Sequence, residues 1–369
     1  MATRREFLLQ AAAGVVVATS ARATYAMQTG AIKKPVPARR IPGVVQTVQG
    51  PIDASNLGFT LPHEHLFASS GGFWQVWPEF WGGKANFIAK AVDKLKEAKD
   101  EGVDTIVDLT TADLGRDIRM MEEISRRSRM QIIAATGHWL YPALSMNARS
   151  VEELTDFFLK EIERGIEGTD IKAGVIKVAT DQEGVTPFIE KALRAAARTS
   201  KLTGIPIETH TLAAKRTGEK QAEIFEAEGL APAMVSLGHS DYSDDMAYLT
   251  GLIRRGYTIG MDHMSRGIFP PDRPAPENAT PLLWQSRAER IKALVDAGFT
   301  NKILLSNDWL FADSLSAAGA YTTALNKSNP DGMLFLTRKV VPHLKKIGVT
   351  DEAIHAMTVE NPERFFGGA

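Results

Sequence analysis

From about residue 57 onward, short apolar runs rich in β-branched residues alternate with longer stretches whose apolar positions recur every three to four residues. The short runs are 59–61, 105–109, 132–136, 174–178, 205–209, 235–238, 258–261 and 303–306. They are apolar almost without interruption, as parallel strands buried on both faces require. The longer stretches read as amphipathic helices. Residues 89–100 place Val92, Leu95 and Ala98 on one face, and 151–164 do the same with Leu154, Phe158 and Ile162. Thr186-Pro187 supplies a cap and a first-turn proline for another. Residues 244–255, 283–297 and 334–347 continue the series.

Strand followed by helix, repeated along the chain, predicts an α/β fold, either a closed (β/α)8 TIM barrel or a large open sheet. The polar residues decide between them. His63 and His65 follow the first strand, and Lys177 ends the fourth. His210, His239, Asp262-His263 and Asn307-Asp308 end the fifth to eighth. In a closed barrel these ends meet at one mouth. In an open sheet the first and eighth strands could not share a site with the middle ones. The expectation is a barrel forming a single catalytic domain over residues 51–369.

Composition narrows the chemistry. The chain has 369 residues, 44% of them hydrophobic, and a net charge of −1. That suits one large core and no nucleic-acid partner, because no basic stripe interleaved with aromatics occurs. The absence of cysteine excludes disulfides, thiolate metal sites and cysteine nucleophiles. Any metal must therefore be held by nitrogen and oxygen. Upstream, Arg4-Arg5, an apolar run over 8–18 and the small-residue sites Ala21-Arg22-Ala23 and Thr24-Tyr25-Ala26 predict a twin-arginine signal peptide over residues 1–26. The expected location is periplasmic or membrane-associated, with peripheral contact to the inner membrane, since the run is too short to span a bilayer. Residues 27–50, rich in Pro, Gly and basic side chains, read as an N-terminal arm.

In His63-Glu64-His65 the two imidazoles point to one side of an extended segment. Taken alone, the pair is a weak signal, with a polar loop as the alternative reading. His210 and His239 add two more imidazoles, and Asp308 adds a carboxylate acceptable to zinc, cobalt or manganese. These are more ligands than one catalytic zinc takes. Two ions need a bridging group. Lys177 is the candidate, because a buried amine loses its proton readily and can add CO2 to give a carbamate. Snorkelling or pairing with an acid is the alternative reading of Lys177.

The motifs Gly58-Phe59-Thr60-Leu61-Pro62-His63-Glu64-His65, Ile176-Lys177-Val178-Ala179-Thr180, Gly238-His239-Ser240-Asp241, Gly260-Met261-Asp262-His263 and Ser306-Asn307-Asp308-Trp309-Leu310-Phe311 closely resemble those of the bacterial phosphotriesterases of the amidohydrolase superfamily. The match runs over residues 43–366. The resemblance implies a homodimeric barrel with two divalent metal ions, zinc first, with cobalt or manganese as alternatives. It puts one ion on His63, His65 and Asp308 and the other on His210 and His239, bridged by carbamylated Lys177 and a hydroxide. It implies hydrolysis of phosphotriesters, with hydroxide attacking phosphorus and an aryl oxide leaving. A lactonase or aryl carboxylesterase with side activity on phosphotriesters is the alternative. Asp308 would take up a proton and pass it to His263.

The sequence departs from the family in two places. Tyr242 stands where a relay carboxylate is expected, leaving Asp241 or Asp244 as replacements. The substrate pocket keeps Trp139, Leu114 and Leu310. It has Arg266 in place of a histidine, and Asp313 and Ser316 in place of aromatics. The long loop over residues 264–283 has the length found in phosphotriesterases.

Overall fold

The computed structural model describes residues 39–265, 284–313 and 329–368. The signal-peptide segment and residues 27–38 of the arm lie outside them. The rest of the arm departs from expectation. Strands β1 (Val44–Thr47) and β2 (Gly50–Asp53) form an antiparallel hairpin. Val45, Thr47 and Val48 are buried, and the Val48 N–H donates to Ile132 O at 2.9 Å. Residues 44–50 thus belong to the folded body. Their alternating apolar positions are too sparse to stand out beside the basic and proline-rich stretch before them.

The barrel strands are β3 (Thr60–Ala68), β4 (Thr105–Asp108), β5 (Gln131–Gly137), β6 (Val175–Ala179), β7 (Ile207–His210), β8 (Val235–Leu237), β9 (Thr258–Met261), β10 (Ile303–Leu305) and β11 (Leu310–Asp313). They pair in parallel in the order β10-β9-β8-β7-β6-β5-β4-β3-β11. The eighth strand is interrupted. Its first half, β10, pairs with β9, and its second half, β11, pairs with β3. Across the break, Asp308 N–H donates to His63 O and His65 N–H to Trp309 O, both at 2.9 Å. The two halves of one strand therefore close the sheet on itself, giving the expected (β/α)8 barrel.

Helices α1 (Lys84–Asp100), α2 (Ile118–Ser128), α3 (Val151–Glu163), α4 (Pro187–Thr203), α5 (Thr217–Ala227), α6 (Met246–Arg254) and α7 (Trp284–Asp296) each follow a strand. Local chemistry starts them where the sequence suggests. A capping box joins Ser150 and Glu153 at α3, and the Thr186 hydroxyl accepts from Ile189 N–H at α4. The periodicity reading missed α2 and α5. In α2, Arg119, Glu122, Glu123, Arg126 and Arg127 dilute a buried face of Ile118, Met121 and Ile124. In α5 the apolar contribution to the buried face is little more than Ala222 and Phe225.

One core lies between strands and helices and includes fully buried Phe158, Leu193 and Leu252. Each such side chain contributes roughly 1.5–3 kcal/mol of burial. A second fills the barrel itself with Val107, Leu109, Ile133, Ala135, Val175 and Leu304. Leu57, Phe365 and Phe366 close it from below. With the interior apolar and the floor plugged, the polar side chains of the strands gather at the opposite mouth.

Candidate metal centre

His63 and His65 sit inside β3, which runs to Ala68, and not beyond it as expected. Both are buried. Glu64 between them points the other way, into the seam with the interrupted strand. Its Oε1 accepts from the Ser306 hydroxyl (2.7 Å) and Asn307 N–H (2.9 Å), and its Oε2 from Trp309 N–H (2.8 Å). This clamp flanks Asp308, which is held at φ 47°. His239, with φ 58°, is likewise left-handed. Backbone strain of this kind persists where the surroundings over-determine it.

Around that frame the predicted residues come together. Lys177 Nζ lies 2.6 Å from His63 Nε2, and His239 Nε2 lies 2.8 Å from His210 Nδ1. Asp308 offers one oxygen to each side, Oδ1 at 3.5 Å from His65 Nε2 and Oδ2 at 2.7 Å from His263 Nε2. Ligand-capable atoms of His63, His65 and Asp308 fall within 4.8 Å of one another, as do those of His239, His263 and Asp308. Two glycines permit this density. A Cβ on Gly137, at φ 116°, would fall 1.9 Å from Lys177 O. One on Gly238 would meet Thr209 O at 2.1 Å and the His63 ring at 3.1 Å.

Neighbouring groups set the imidazole tautomers. The Thr110 hydroxyl donates to Phe67 O (3.0 Å) and so accepts from His65 Nδ1 (2.9 Å), leaving His65 Nε2 as the base facing the centre. Asp262, which the sequence reading passed over, serves two rings at once. Its Oδ1 bonds His239 Nδ1 at 2.7 Å, and its Oδ2 lies 3.0 Å from His63 Nδ1. Both rings are thereby turned Nε2-inward. The available signal was an acid placed directly before His263 at a strand end.

Burial pushes His63 down to about 3, helped by the Lys177 ammonium, and His210 down to about 4, helped by His239. Neutral imidazole is the form that binds metal. For Asp262 burial acts upward, but the His239 and His63 rings override it and hold the carboxyl well below its ordinary range. Imidazoles of His63, His65, His210 and His239, the Lys177 amine and the Asp308 carboxylate gathered at the mouth form a nitrogen and oxygen donor set that fits divalent cations.

The relay position is partly resolved. Asp241 is buried, and its carboxylate accepts from the backbone N–H of His263 at 3.1 Å. Asp244 is exposed. The Tyr242 ring packs edge-on against His263 at 4.5 Å, and His263 stacks on His239 at 3.7 Å. At the mouth Trp139 stands edge-on to His210, ring centres 6.3 Å apart. Leu114 and Leu310 are buried. Arg266 and Ser316 lie outside the described residues, as does the Asp313 side chain.

The family model for the phosphotriesterase family matches residues 43–366. The chain is 38% identical to a "phosphotriesterase homology protein" of Mycobacterium tuberculosis, covering 87% of this chain and 97% of that one. It is 35% identical to an aryldialkylphosphatase of Saccharolobus solfataricus, covering 85% and 96%. The solved structure of the phosphotriesterase from Mycobacterium tuberculosis superposes with a TM-score of 0.78 at 36% identity, over 88% of this chain and 98% of that one.

Proposed function

This chain belongs to the phosphotriesterase family, and on that premise we propose that it hydrolyses neutral phosphotriesters using two divalent metal ions. One observation carries the reading. Side chains on β3, β6 and β7, just past β8 and in the break of the eighth strand bring four imidazoles, the Lys177 amine and the Asp308 carboxylate together, with Lys177 Nζ 2.6 Å from His63 Nε2. His63, His65 and Asp308 would hold one ion, His210 and His239 the other, and Lys177 as its carbamate would serve both. When bound, the ions (zinc, with cobalt and manganese as alternatives) would supply Lewis acidity toward the phosphoryl oxygen and acidify a water.

The chain's own groups do the rest. Asp308 takes up the proton released as water adds to phosphorus and passes it along the 2.7 Å contact to His263 Nε2. Asp241 holds the backbone of His263, and the Tyr242 edge fixes its ring. Trp139, whose backbone N–H donates to Asp113 Oδ2 at 3.1 Å, presents an apolar wall beside His210 for a hydrophobic leaving group, and Leu114 and Leu310 would add apolar surface.

Turnover of an aryl dialkyl phosphate, an aryl ester and a lactone is compared on one zinc-loaded preparation. The phosphate ester should be the preferred substrate. A preference for the lactone would shift the assignment to a lactonase. Lys177→Ala should lose activity and regain part of it with short carboxylic acids. Full activity in that variant would end the proposed role of Lys177.

A further inference from the structure

On the floor of the barrel, away from the mouth, the N-terminal arm meets the last helix, α8 (Asn361–Gly367). Arg40 N–H donates to Thr203 O at 2.7 Å, Gly43 N–H donates to Gly367 O at 2.9 Å, and the Arg40 guanidinium donates to Phe366 O. Beside these contacts lies a cavity of about 600 Å³, bounded by α8 and by residues at the starts of strands, including Gly204, Met234, Thr258 and Lys302. Strand starts lie at the opposite end of a barrel from the catalytic mouth.

Four cations line it, Arg39, Arg40, Lys302 and Arg364, together with the amides of Asn301 and Asn361. Among the described residues no Asp or Glu side chain lines it. Three of the cations have neutral partners. Lys302 Nζ donates to Gly256 O at 2.9 Å, Arg364 donates to Asn301 O at 2.8 Å, and Arg40 reaches Phe366 O. Carbonyl oxygens orient these groups but leave their charge standing. Burial lowers Lys302 below its ordinary value and the neighbouring Arg364 lowers it further, while burial brings Arg40 to about 10. The protein alone thus disfavours a concentration of like charge that it nevertheless builds around an open volume. Guanidinium forks match the oxygens of a phosphate group, and an ammonium beside them supplies a point charge.

We propose that this cavity binds a phosphate monoester dianion, either free or as a lipid headgroup, and that the bound anion pins the N-terminal arm to the barrel floor. Binding to the native state alone raises its stability with the logarithm of ligand concentration above Kd.

The test uses the full-length, metal-loaded protein at fixed ionic strength. Calorimetric titration with sn-glycerol 3-phosphate measures the free ligand, and co-flotation with phosphatidylcholine vesicles with and without phosphatidic acid measures the headgroup. Two variants separate this site from any binding at the mouth. Lys302→Met/Arg364→Met removes two cations, and Ala233→Glu adds a carboxylate at an exposed lining position. Binding should weaken at least tenfold in both variants with phosphotriester turnover unchanged. Ala233→Glu should also melt higher than the parent without ligand. Binding to glycerol 3-phosphate identifies a free ester, and binding to the phosphatidic-acid vesicles alone identifies a headgroup. Absence of both, or equal affinity in parent and variants, overturns the proposal.

Discussion

Replacing Glu64 with alanine removes the acceptor that joins strand β3 to the break in the eighth strand. Three buried donors lose it: the Ser306 hydroxyl, Asn307 N–H and Trp309 N–H. The Ser306 hydroxyl can turn to His63 O, 3.1 Å away, and recover a bond. Two backbone N–H groups cannot. At roughly 1–3 kcal/mol for each unsatisfied buried donor, the loss is roughly 2–6 kcal/mol. Against a typical total of about 5–15 kcal/mol, the variant should still fold but melt well below the parent. The functional consequence is larger, because Asp308 lies between two of the released amides and its left-handed backbone then lacks its frame. Glu64→Gln separates clamp from charge. Burial pushes the Glu64 carboxyl up to about 8, and glutamine removes the charge while keeping one of the two acceptor oxygens. The assay is thermal unfolding of chelator-treated protein, paired with metal content after reconstitution and kcat. Alanine should lower all three, and glutamine should restore only part of each, because its NH2 faces a donor where Glu64 accepts. An alanine variant with parental melting temperature and metal content would refute the clamp.

Acid should weaken the metal-free fold in a defined window. His63 and His210 titrate near 3 and 4 in the folded state against 6.5 in the unfolded chain, so the unfolded state takes up protons first. Their contribution is fully present above pH 6.5 and is lost as pH falls toward 4; a flat urea-midpoint profile from pH 7.5 to 4.5 would contradict it. Arg116 is buried against Glu161, Glu167 and Ala135 O. Arg116→Met should cost about 3–5 kcal/mol in denaturant unfolding, and adding Glu161→Gln should recover part of it; strict additivity would count against a coupled buried pair. Val76 and Trp77 are 85% and 54% exposed, and we propose them as the subunit contact of a homodimer, since exposed apolar surface favours association. Val76→Ser/Trp77→Ser should convert the proposed homodimer to monomer in sedimentation, and a parental profile would place the interface elsewhere.

Periodicity was enough to read the barrel strands and several helix starts, and strand-end histidines together with the family motifs pointed to the six candidate ligands. Each of those signals is local: an apolar run, a cap, or a histidine at the end of a run. Three-dimensional closure decided the rest. The eighth strand splits because β10 must pair with β9 while β11 pairs with β3, and a residue cannot register that conflict in its own neighbourhood. Glu64 looked like a spacer between two histidines until residues some 242 positions away in sequence supplied its donors. Asp262 became the support of two imidazoles only when β3 and β8 were brought beside it. The cations on the floor are dispersed along the chain, at 39, 40, 302 and 364. Their shared field exists only after folding, because electrostatic interaction depends on distance in space and not on separation along the backbone.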